Sequence, residues 1–251
     1  RWILESFAFP SFGGRPIKDI QPPEVLDALR KLERAGKVET AHRMRSRCSQ
    51  VFRYAIATSR ATSDPTRDLL GALKRKVERH HAALTDPKAV GAMLAKLDAY
   101  TGQYVTRAAL RLAPLVFVRP GELRAAEWSE IDLDAGMWTI PADRMKRKDQ
   151  GAHLVPLSRQ AVAILRELHH LTGRNRLVFP SVRTPKAPMS ENTITCALRA
   201  CGYTGDQMTG HGFRTTASTL LHERGYPSPV IERQLAHGLR NKVAAVYNQA
   251  E

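Results

Sequence analysis

Two arginines in this sequence stand where each needs an anionic partner. Arg119 follows a strongly apolar segment and precedes a Pro-Gly turn, with Glu122 three residues further along. A guanidinium beside buried chain is costly unless it is paired, so it must meet a carboxylate or an external anion. From these residues alone, a structural Arg119–Glu122 ion pair and a catalytic anion site are equal alternatives.

The second arginine belongs to the sequence His-Gly-Phe-Arg, which sets His211 three residues before Arg214. If this sequence opens a helix, both side chains lie on one face, beside main-chain amides that favour a phosphate. The spacing is common by chance and is weak support by itself. Further on, His237 is followed ten residues later by Tyr247. An isolated tyrosine near a chain end usually serves packing.

The charge balance favours a polyanionic partner. Among 251 residues, 39 Lys and Arg stand against 24 Asp and Glu, a formal net charge of +15 with a pI of about 10.2. Such an excess usually accompanies nucleic-acid binding, and charge that serves only solubility is the alternative. Apolar residues at 43% and charged residues at 25% are ordinary for a folded chain and argue against a disordered tail or a low-complexity scaffold. No apolar run is long enough to span a membrane.

The cysteines indicate the cellular compartment, and the first residues indicate whether the sequence is a fragment of a longer protein. Cys48, Cys196 and Cys201 form no Cys-x-x-Cys pair, which argues against a disulfide framework and against a zinc site. We therefore expect a reducing, bacterial cytoplasm, with the protein at the nucleoid. The chain opens at Arg1, and its first ten residues are not typical of a signal peptide, so we expect a fragment.

Two helices are predicted in the front part, which carries the denser positive charge. Pro22 and Pro23 begin the first, and Gly36 ends it. The second runs from Glu39 to about Ser59, with apolar residues at spacings of three and four. Its apolar stripe is Ala41, Met44, Cys48, Val51, Phe52 and Ala55.

The remainder is predicted to be mainly helical with a small antiparallel sheet. Residues 137–140 and 153–156 are the predicted strands, joined by a basic turn that contains Lys146 and Lys148. Ser158 is expected to cap the next helix. A linker near residues 79–86, with Thr85 capping the helix that follows it, divides the chain into predicted domains 1–84 and 85–251.

The combination is more specific than its parts. In order, Arg119, the basic turn with Lys146, the His-Gly-Phe-Arg sequence, Leu-Ala-His-Gly and Tyr247 resemble the tyrosine recombinase family, the phage integrases of prophages and genomic islands. The resemblance covers nearly the whole chain. It implies a DNA-clamping architecture of two domains, a helical-bundle core-binding domain and a mixed α/β catalytic domain.

The resemblance also implies residue roles for cutting and rejoining DNA without metal or ATP. Arg119 and Arg214 would clamp the scissile phosphate, because planar guanidinium groups suit its oxygens. Tyr247 would be the nucleophile that forms a 3′-phosphotyrosyl bond. Lys146, or Lys148 on the same turn, would protonate the leaving 5′ oxygen. His211 would assist proton transfer at the tyrosine, and His237 would hydrogen-bond the phosphate. Glu122 would hold the arginine side of the pocket in place.

The expected partners follow from the same family. The first is double-stranded DNA at attachment sites. The second is the protein itself, which is expected to form a homo-tetramer on DNA and can be a monomer in isolation. DNA-bending accessory proteins are the third. The basic residues expected to contact DNA are Arg43, Arg45, Arg47, Lys74, Arg75, Lys76 and Lys148.

Two departures from the family pattern stand out. Phe117 and Val118 occupy positions where many relatives have a glycine, so the local backbone is expected to differ, and the chain stops four residues after Tyr247.

Two alternative functions also stay open. A type IB topoisomerase would relax plasmids without a cognate site, and a non-catalytic DNA-binding module would be indifferent to Tyr247→Phe.

Overall fold

The computed structural model describes residues 1–76, 82–145 and 151–237. The chain forms two compact units, Arg1–Arg79 and His80–Glu251. The two units have separate apolar cores. Among the described residues, no helix combines the length and the apolar character needed to cross a bilayer.

The first unit is helical. A π-helical turn spans Leu4–Ala8, and 3₁₀ turns span Ile17–Asp19 and Arg67–Leu69. Its helices are α1 (Phe9–Phe12), α2 (Pro22–Arg34) and α3 (Val38–Ala57). The predicted start of α2 at Pro22 is confirmed, and Gln21 and Glu24 form a capping box there. Gly36 follows α2 with a φ of +72°, a conformation that glycine adopts without strain.

The apolar stripe of α3 packs into the core of the first unit. Ala41, Met44, Cys48, Phe52 and Ala55 are buried, as their spacing predicts. The inclusion of Val51 in this stripe was wrong, because its side chain is 41% exposed. Val51 lies at the edge of the stripe, where a helix of 3.6 residues per turn rotates it toward solvent.

The described part of the second unit combines helices with a three-stranded sheet. Its helices are α4 (Pro87–Asp98), α5 (Tyr104–Val116), α6 (Pro120–Arg124), α7 (Arg159–Thr172), α8 (Thr193–Ala200), α9 (Gly212–Glu223) and α10 (Ser228–Gln234). Short 3₁₀ turns span Trp128–Glu130 and Ala142–Arg144. The strands are β1 (Ile131–Asp132), β2 (Met137–Ile140) and β3 (His153–Pro156). Both predicted strands are confirmed, and β1 is an addition that the sequence did not reveal.

The sheet is antiparallel in the order β1-β2-β3. Trp138 pairs with Val155, and Ile140 pairs with His153. Because alternate residues of a strand share a face, these four side chains point inward, and all four are buried. The inner face of the sheet therefore includes one histidine among apolar side chains.

Of the two helix caps that the sequence predicts at Ser158 and Thr85, one is confirmed and one is wrong. The Ser158 hydroxyl accepts a hydrogen bond from the Ala161 amide at 3.2 Å, which confirms the predicted cap of α7. The cap predicted at Thr85 was wrong by one residue. Asp86 accepts from the Ala89 amide at 2.7 Å, and a carboxylate at this position also meets the positive end of the helix dipole.

Main chain passes very close to the beginning of α9. The Thr216 hydroxyl donates to the Leu84 carbonyl at 2.7 Å, which fixes residues 82–84 against the helix. At Gly212, an added Cβ would stand 2.3 Å from the Ala82 carbonyl oxygen and 3.0 Å from the Met208 sulfur. Only glycine leaves room for this approach of two backbones.

We expect Gly212→Ala to destabilise the protein by about 1–3 kcal/mol, because the contact atom is backbone and cannot move aside alone. Gly91→Ala is the matched control. Gly91 lies inside α4 with open space around it, so alanine should stabilise the protein there by up to about 1 kcal/mol. Urea unfolding of both variants measures the difference. Equal stability of the two variants would contradict the close approach.

Candidate active site

Arg119 and Glu122 form an ion pair at the start of α6. Glu122 is 5% exposed, and one carboxylate oxygen accepts from the Arg119 guanidinium at 2.8 Å. The other oxygen accepts from the Arg119 main-chain amide, also at 2.8 Å. The structural pair considered in the sequence analysis therefore exists. It leaves part of the Arg119 side chain, which is 19% exposed, available for an external anion.

Arg214 is the more deeply buried of the two arginines, at 3% exposure. It lies in the first turn of α9, directly after the helix start predicted at His211. Its guanidinium donates to the main-chain carbonyls of Phe117 and Leu235. Burial, and then the nearby Arg119 charge, lowers the pKa of Arg214 to about 10, so the group stays charged at neutral pH.

His237 completes this cluster through a defined tautomer. Arg214 donates to Nε2 of His237 at 3.0 Å, and Nδ1 of His237 lies 2.9 Å from a Glu232 carboxylate oxygen. Because a guanidinium only donates, Nε2 must accept, and the ring proton sits on Nδ1, where Glu232 can accept it. The structure thus joins Glu232, His237 and Arg214 in one chain of hydrogen bonds.

Two residues with left-handed backbone present their carbonyls to the two arginines. Phe117 has a φ of +55°, and its carbonyl accepts from Arg214. Ala236 has a φ of +47°, and its carbonyl accepts from Arg119 at 2.9 Å. Residues with a side chain adopt this conformation at a cost, so tertiary contacts must hold both positions. Phe117 therefore has the backbone conformation that favours a glycine.

The structure describes four of the six predicted catalytic residues and brings three of these together. Arg119, Arg214 and His237 come together with Glu122, although they are far apart in the chain. His211 lies half-buried directly before α9. Lys146, Lys148 and Tyr247 lie outside the described residues, so their roles stay predictions.

The predicted DNA contacts in the first unit differ in exposure. Arg47 is exposed on α3 and donates to the Gln50 side chain at 2.8 Å. Arg43 is also exposed and pairs with Glu39 at 3.0 Å. Arg45 is partly buried and donates to the carbonyl of Thr66 at 3.3 Å. The geometry gives Arg45 a structural contact that the sequence did not reveal.

The three basic residues after the last 3₁₀ turn of the first unit are exposed. The Lys74 main chain is held at both ends, since its amide donates to Glu33 at 2.5 Å and its carbonyl lies 2.8 Å from a His42 ring nitrogen. Lys76 pairs with Glu39 at 3.0 Å. Arg75 is exposed beside them.

Sequence reasoning missed His153, which lies on the inner face of β3 at 8% exposure. The charges of Glu122, Arg214 and Arg119 all act on its ring. A signal was present, because Val155 must be buried and His153 shares its face. A histidine beside leucine and valine in a short strand does not by itself mark a site.

Comparison with known protein families identifies the fold and the family. Residues 84–251 match the family model described as "Phage integrase family", and residues 1–72 match "Phage integrase central domain". The chain belongs to the phage integrase family. The resemblance stated from the sequence is therefore confirmed, and the topoisomerase and the non-catalytic module are not favoured.

Curated relatives of this integrase-family chain are longer than the chain. The integrase of Enterobacteria phage P4 is 40% identical, over 97% of this chain and 58% of its own length. The prophage integrase IntS of Escherichia coli K12 is 35% identical, over 99% of this chain and 64% of its own length. The chain thus spans about three fifths of these relatives.

Solved integrase structures share the fold. A lambda integrase (75-356) dimer bound to a COC' core site has a TM-score of 0.70 at 22% identity, covering 98% of this chain and 85% of that one. The Tn1549 transposon integrase in complex with transposon right end DNA has a TM-score of 0.73 at 13% identity, covering 100% and 87%. The predicted fold class, mainly helical with a small antiparallel sheet, is confirmed.

We expect Ala236→Gly in this member of the phage integrase family to leave the free energy of unfolding unchanged or to raise it by up to about 1 kcal/mol, because glycine relieves the left-handed strain. Ala236→Val should lower it, since a β-branched residue tolerates positive φ poorly. Ala163→Gly, on the exposed face of α7, is the control and should cost about 1 kcal/mol. Thermal unfolding of the three variants gives the comparison. A loss in Ala236→Gly as large as in Ala163→Gly would show that residue 236 is unstrained.

Proposed function

We propose that this chain is the catalytic portion of a site-specific DNA recombinase that integrates or excises a mobile element. The reaction would cut and rejoin strands through a 3′-phosphotyrosyl intermediate. One observation carries the proposal: the Arg119 and Arg214 guanidinium groups share one cluster with the exposed ring of His237, and main-chain carbonyls and Glu122 hold both groups there. Membership of the phage integrase family supports it.

The charge of the cluster suits a phosphodiester. The Glu122 carboxylate beside the two guanidinium groups is buried, whereas the second carboxylate that acts on Arg214, Glu232, is partly exposed and bonded to His237. Positive charge is therefore in local excess where Arg119 and Arg214 meet. Two phosphate oxygens that accept hydrogen bonds from the planar N–H donors would neutralise this excess. The negative charge on these oxygens grows in the transition state. Since protein carbonyls already orient both groups, little reorganisation is needed when DNA binds.

The remaining chemical steps are assigned to residues around this cluster. Tyr247 would attack the scissile phosphate, and its phosphotyrosyl bond keeps the phosphodiester energy for religation. Lys146, or Lys148 beside it, would protonate the leaving 5′ oxygen. His211 would assist proton transfer at the tyrosine. His237 would hydrogen-bond the phosphate. This contact needs a proton on Nε2, so it would replace the bond that Nε2 accepts from Arg214 in the absence of DNA, while Glu232 holds the other side of the ring.

The proposed partners are duplex attachment sites and further copies of the protein. Solved structures of lambda integrase include a dimer bound to a COC' core site and a tetramer bound to a Holliday junction. By analogy, four protomers would exchange one pair of strands at a time. DNA-bending accessory proteins, a cytoplasmic location and the domain boundary at residue 84 stay predictions.

The decisive test is covalent capture on nicked duplexes taken from the flanks of the mobile element. Cleavage releases a short strand from these substrates, so the phosphotyrosyl adduct cannot be reversed. We expect an SDS-resistant adduct mapped by peptide mass to Tyr247, absent in Tyr247→Phe. Tyr226→Phe is the matched control, because Tyr226 is an exposed tyrosine of the same unit and should behave as the unmodified protein.

Retention of DNA binding separates chemistry from affinity in this test. Tyr247→Phe should bind the duplex as tightly as the unmodified protein, since only the attacking oxygen is removed. An adduct that persists in Tyr247→Phe would assign the nucleophile to another residue. Binding without any adduct in the unmodified protein would argue for a DNA-binding module.

The exposed basic face of α3 gives a further prediction, made with Arg47 and Arg45. Arg47→Ala should weaken DNA binding and reduce the slope of log affinity against log salt by about one, because one phosphate contact is lost. Arg45→Ala should leave this slope unchanged and cost about 1 kcal/mol of stability, since it removes the bond to the Thr66 carbonyl. Filter binding from low to moderate salt measures the slope. Identical slopes in all three proteins would place the DNA elsewhere.

A further inference from the structure

Arg144 and Glu130 form an ion pair that is largely shielded from water. Nη1 of Arg144 donates to Oε1 of Glu130, and the two side chains are 18% and 6% exposed. Removing two charged groups from water costs free energy that their attraction returns only in part, and apolar residues of similar volume often stabilise a protein equally well. Stability alone therefore gives no reason for a charged pair at this place.

The sheet holds the Glu130 carboxylate on its other side. Glu130 ends a 3₁₀ turn directly before β1. Its Oε2 accepts from the indole Nε1–H of Trp138 at 3.1 Å and from the Glu127 main-chain amide at 3.3 Å. Trp138 lies on β2 and is fully buried. The carboxylate thus has a fixed place between the sheet and Arg144.

The other terminal nitrogen of Arg144 reaches α6. Its Nη2 donates to the main-chain carbonyl of Glu122 at 3.1 Å. Because α6 ends at Arg124, this carbonyl lies in the last turn, where carbonyls lack a partner within the helix. The Ala126 amide, four residues further along, donates instead to the Leu123 carbonyl at 3.2 Å. Arg144 therefore supplies a donor and a positive charge at the C-terminal end of α6.

The residue that Arg144 holds is also the residue that holds Arg119. The Glu122 carboxylate accepts from the Arg119 guanidinium and from the Arg119 main-chain amide, both at 2.8 Å. Glu122 thus binds one arginine through its side chain and the other through its main chain. A continuous series of hydrogen bonds joins Trp138, Glu130, Arg144, Glu122 and Arg119.

We propose that Arg144, paired with Glu130, is a positioning residue that fixes α6 against the sheet and thereby aligns the Arg119 guanidinium for the scissile phosphate. The effect on DNA cleavage rests on the proposed function, whereas the anchoring of Glu122 does not. Arg144 itself need not touch DNA. Its two terminal nitrogens bind different elements, and the compact ammonium of a lysine cannot reproduce this fork.

Trp138 reports on the anchor without DNA. Labelling with ¹⁵N-tryptophan gives indole signals from the three tryptophans of the chain, Trp2, Trp128 and Trp138. Trp2→Phe and Trp128→Phe each remove one of the other two signals and so assign that of Trp138.

We expect the Trp138 indole signal to shift in Glu130→Gln and in Arg144→Gln, because the carboxylate that accepts its proton is neutralised or loses its partner. Arg166→Gln is the matched control and should leave the signal in place. Arg166 also pairs with a carboxylate, that of Asp134 at 2.9 Å, but both side chains are exposed. A Trp138 signal that is unchanged in Arg144→Gln would contradict the anchor.

The rate of adduct formation tests whether the two residues act as one unit. Arg144→Gln and Glu130→Gln should each slow the reaction about tenfold, as for one lost hydrogen bond, and Arg166→Gln should not. Arg144→Lys should be slow as well, because it keeps the charge and loses the fork. The double variant of Glu130 and Arg144 should be slowed about tenfold and not about a hundredfold, since each single change already breaks the pair.

The double variant also leaves no buried charge without a partner, so it keeps the test informative where a single variant fails to fold. Thermal unfolding identifies such a variant. The full rate in Arg144→Lys or in the double variant would overturn the proposal, and so would independent effects of the two single changes.

A change in the scissile linkage shows which group is misaligned. A methylphosphonate replaces one non-bridging oxygen by a methyl group and is neutral, so its reaction depends less on the Arg119 charge. We expect the deficit of Arg144→Gln to narrow from about tenfold on the phosphodiester to within about threefold on the methylphosphonate.

A 5′-bridging phosphorothiolate separates this effect from protonation of the leaving group. Its thiolate leaves without a proton donor, so it restores a reaction that lacks only the general acid. Lys146 follows Arg144 by two residues and lies outside the described residues, which makes this comparison necessary. The Arg144→Gln deficit should persist on the phosphorothiolate. A deficit that disappears there and persists on the methylphosphonate would overturn alignment of Arg119.

The two levels of the proposal fail separately. If the unmodified protein forms no adduct on any of these substrates, the proposed function fails, whereas the indole spectra still decide whether Arg144 and Glu130 form the anchor. If the adduct forms and the Trp138 signal ignores Arg144, the anchor fails while the proposed function stands.

Discussion

The site depends on keeping two guanidinium groups charged and close together in a largely dry environment. An arginine keeps its charge at neutral pH, so Arg119 and Arg214 each lose hydration that the protein must replace. The Glu122 carboxylate, the His237 ring and the carbonyls of residues 117, 235 and 236 supply that replacement. Carbonyl dipoles solvate the cations without cancelling their charge, which leaves the cluster able to attract an anion.

This constraint accounts for the costly features around the site. A carbonyl can point at a guanidinium only if its peptide unit turns toward it, and at Phe117 and Ala236 this requires left-handed backbone. Positioning α9 also brings its first turn against the main chain of residues 82–84, where Gly212 alone leaves space. In the second unit, left-handed backbone and close approach thus occur where Arg119 and Arg214 are held, and the packed sheet and helices of that unit stabilise both features.

Local patterns in the sequence were sufficient for much of the fold. Periodicity and capping chemistry act between residues only a few positions apart, so the sequence alone predicts the features that depend on them. These features are the beginnings of α2 and α9, strands β2 and β3, the Ser158 cap, and the apolar stripe of α3 apart from Val51. The separated boxes around Arg119, Arg214 and His237 also indicated the family, because their residue types and order are specific even when their contacts are unknown.

The sequence by itself determined which side chains are available for phosphate chemistry, and the tertiary structure decided how they are held. Arg119 meets the carbonyl of Ala236 across 117 residues, and no periodicity predicts a contact of that kind. The same holds for Arg45, whose helix position is compatible with solvent until the Thr66 carbonyl is packed beside it. His153 is recognisable as a buried histidine near Glu122, Arg119 and Arg214 only in the folded structure. Its burial and the charges that act on it depend on residues that are distant in the sequence.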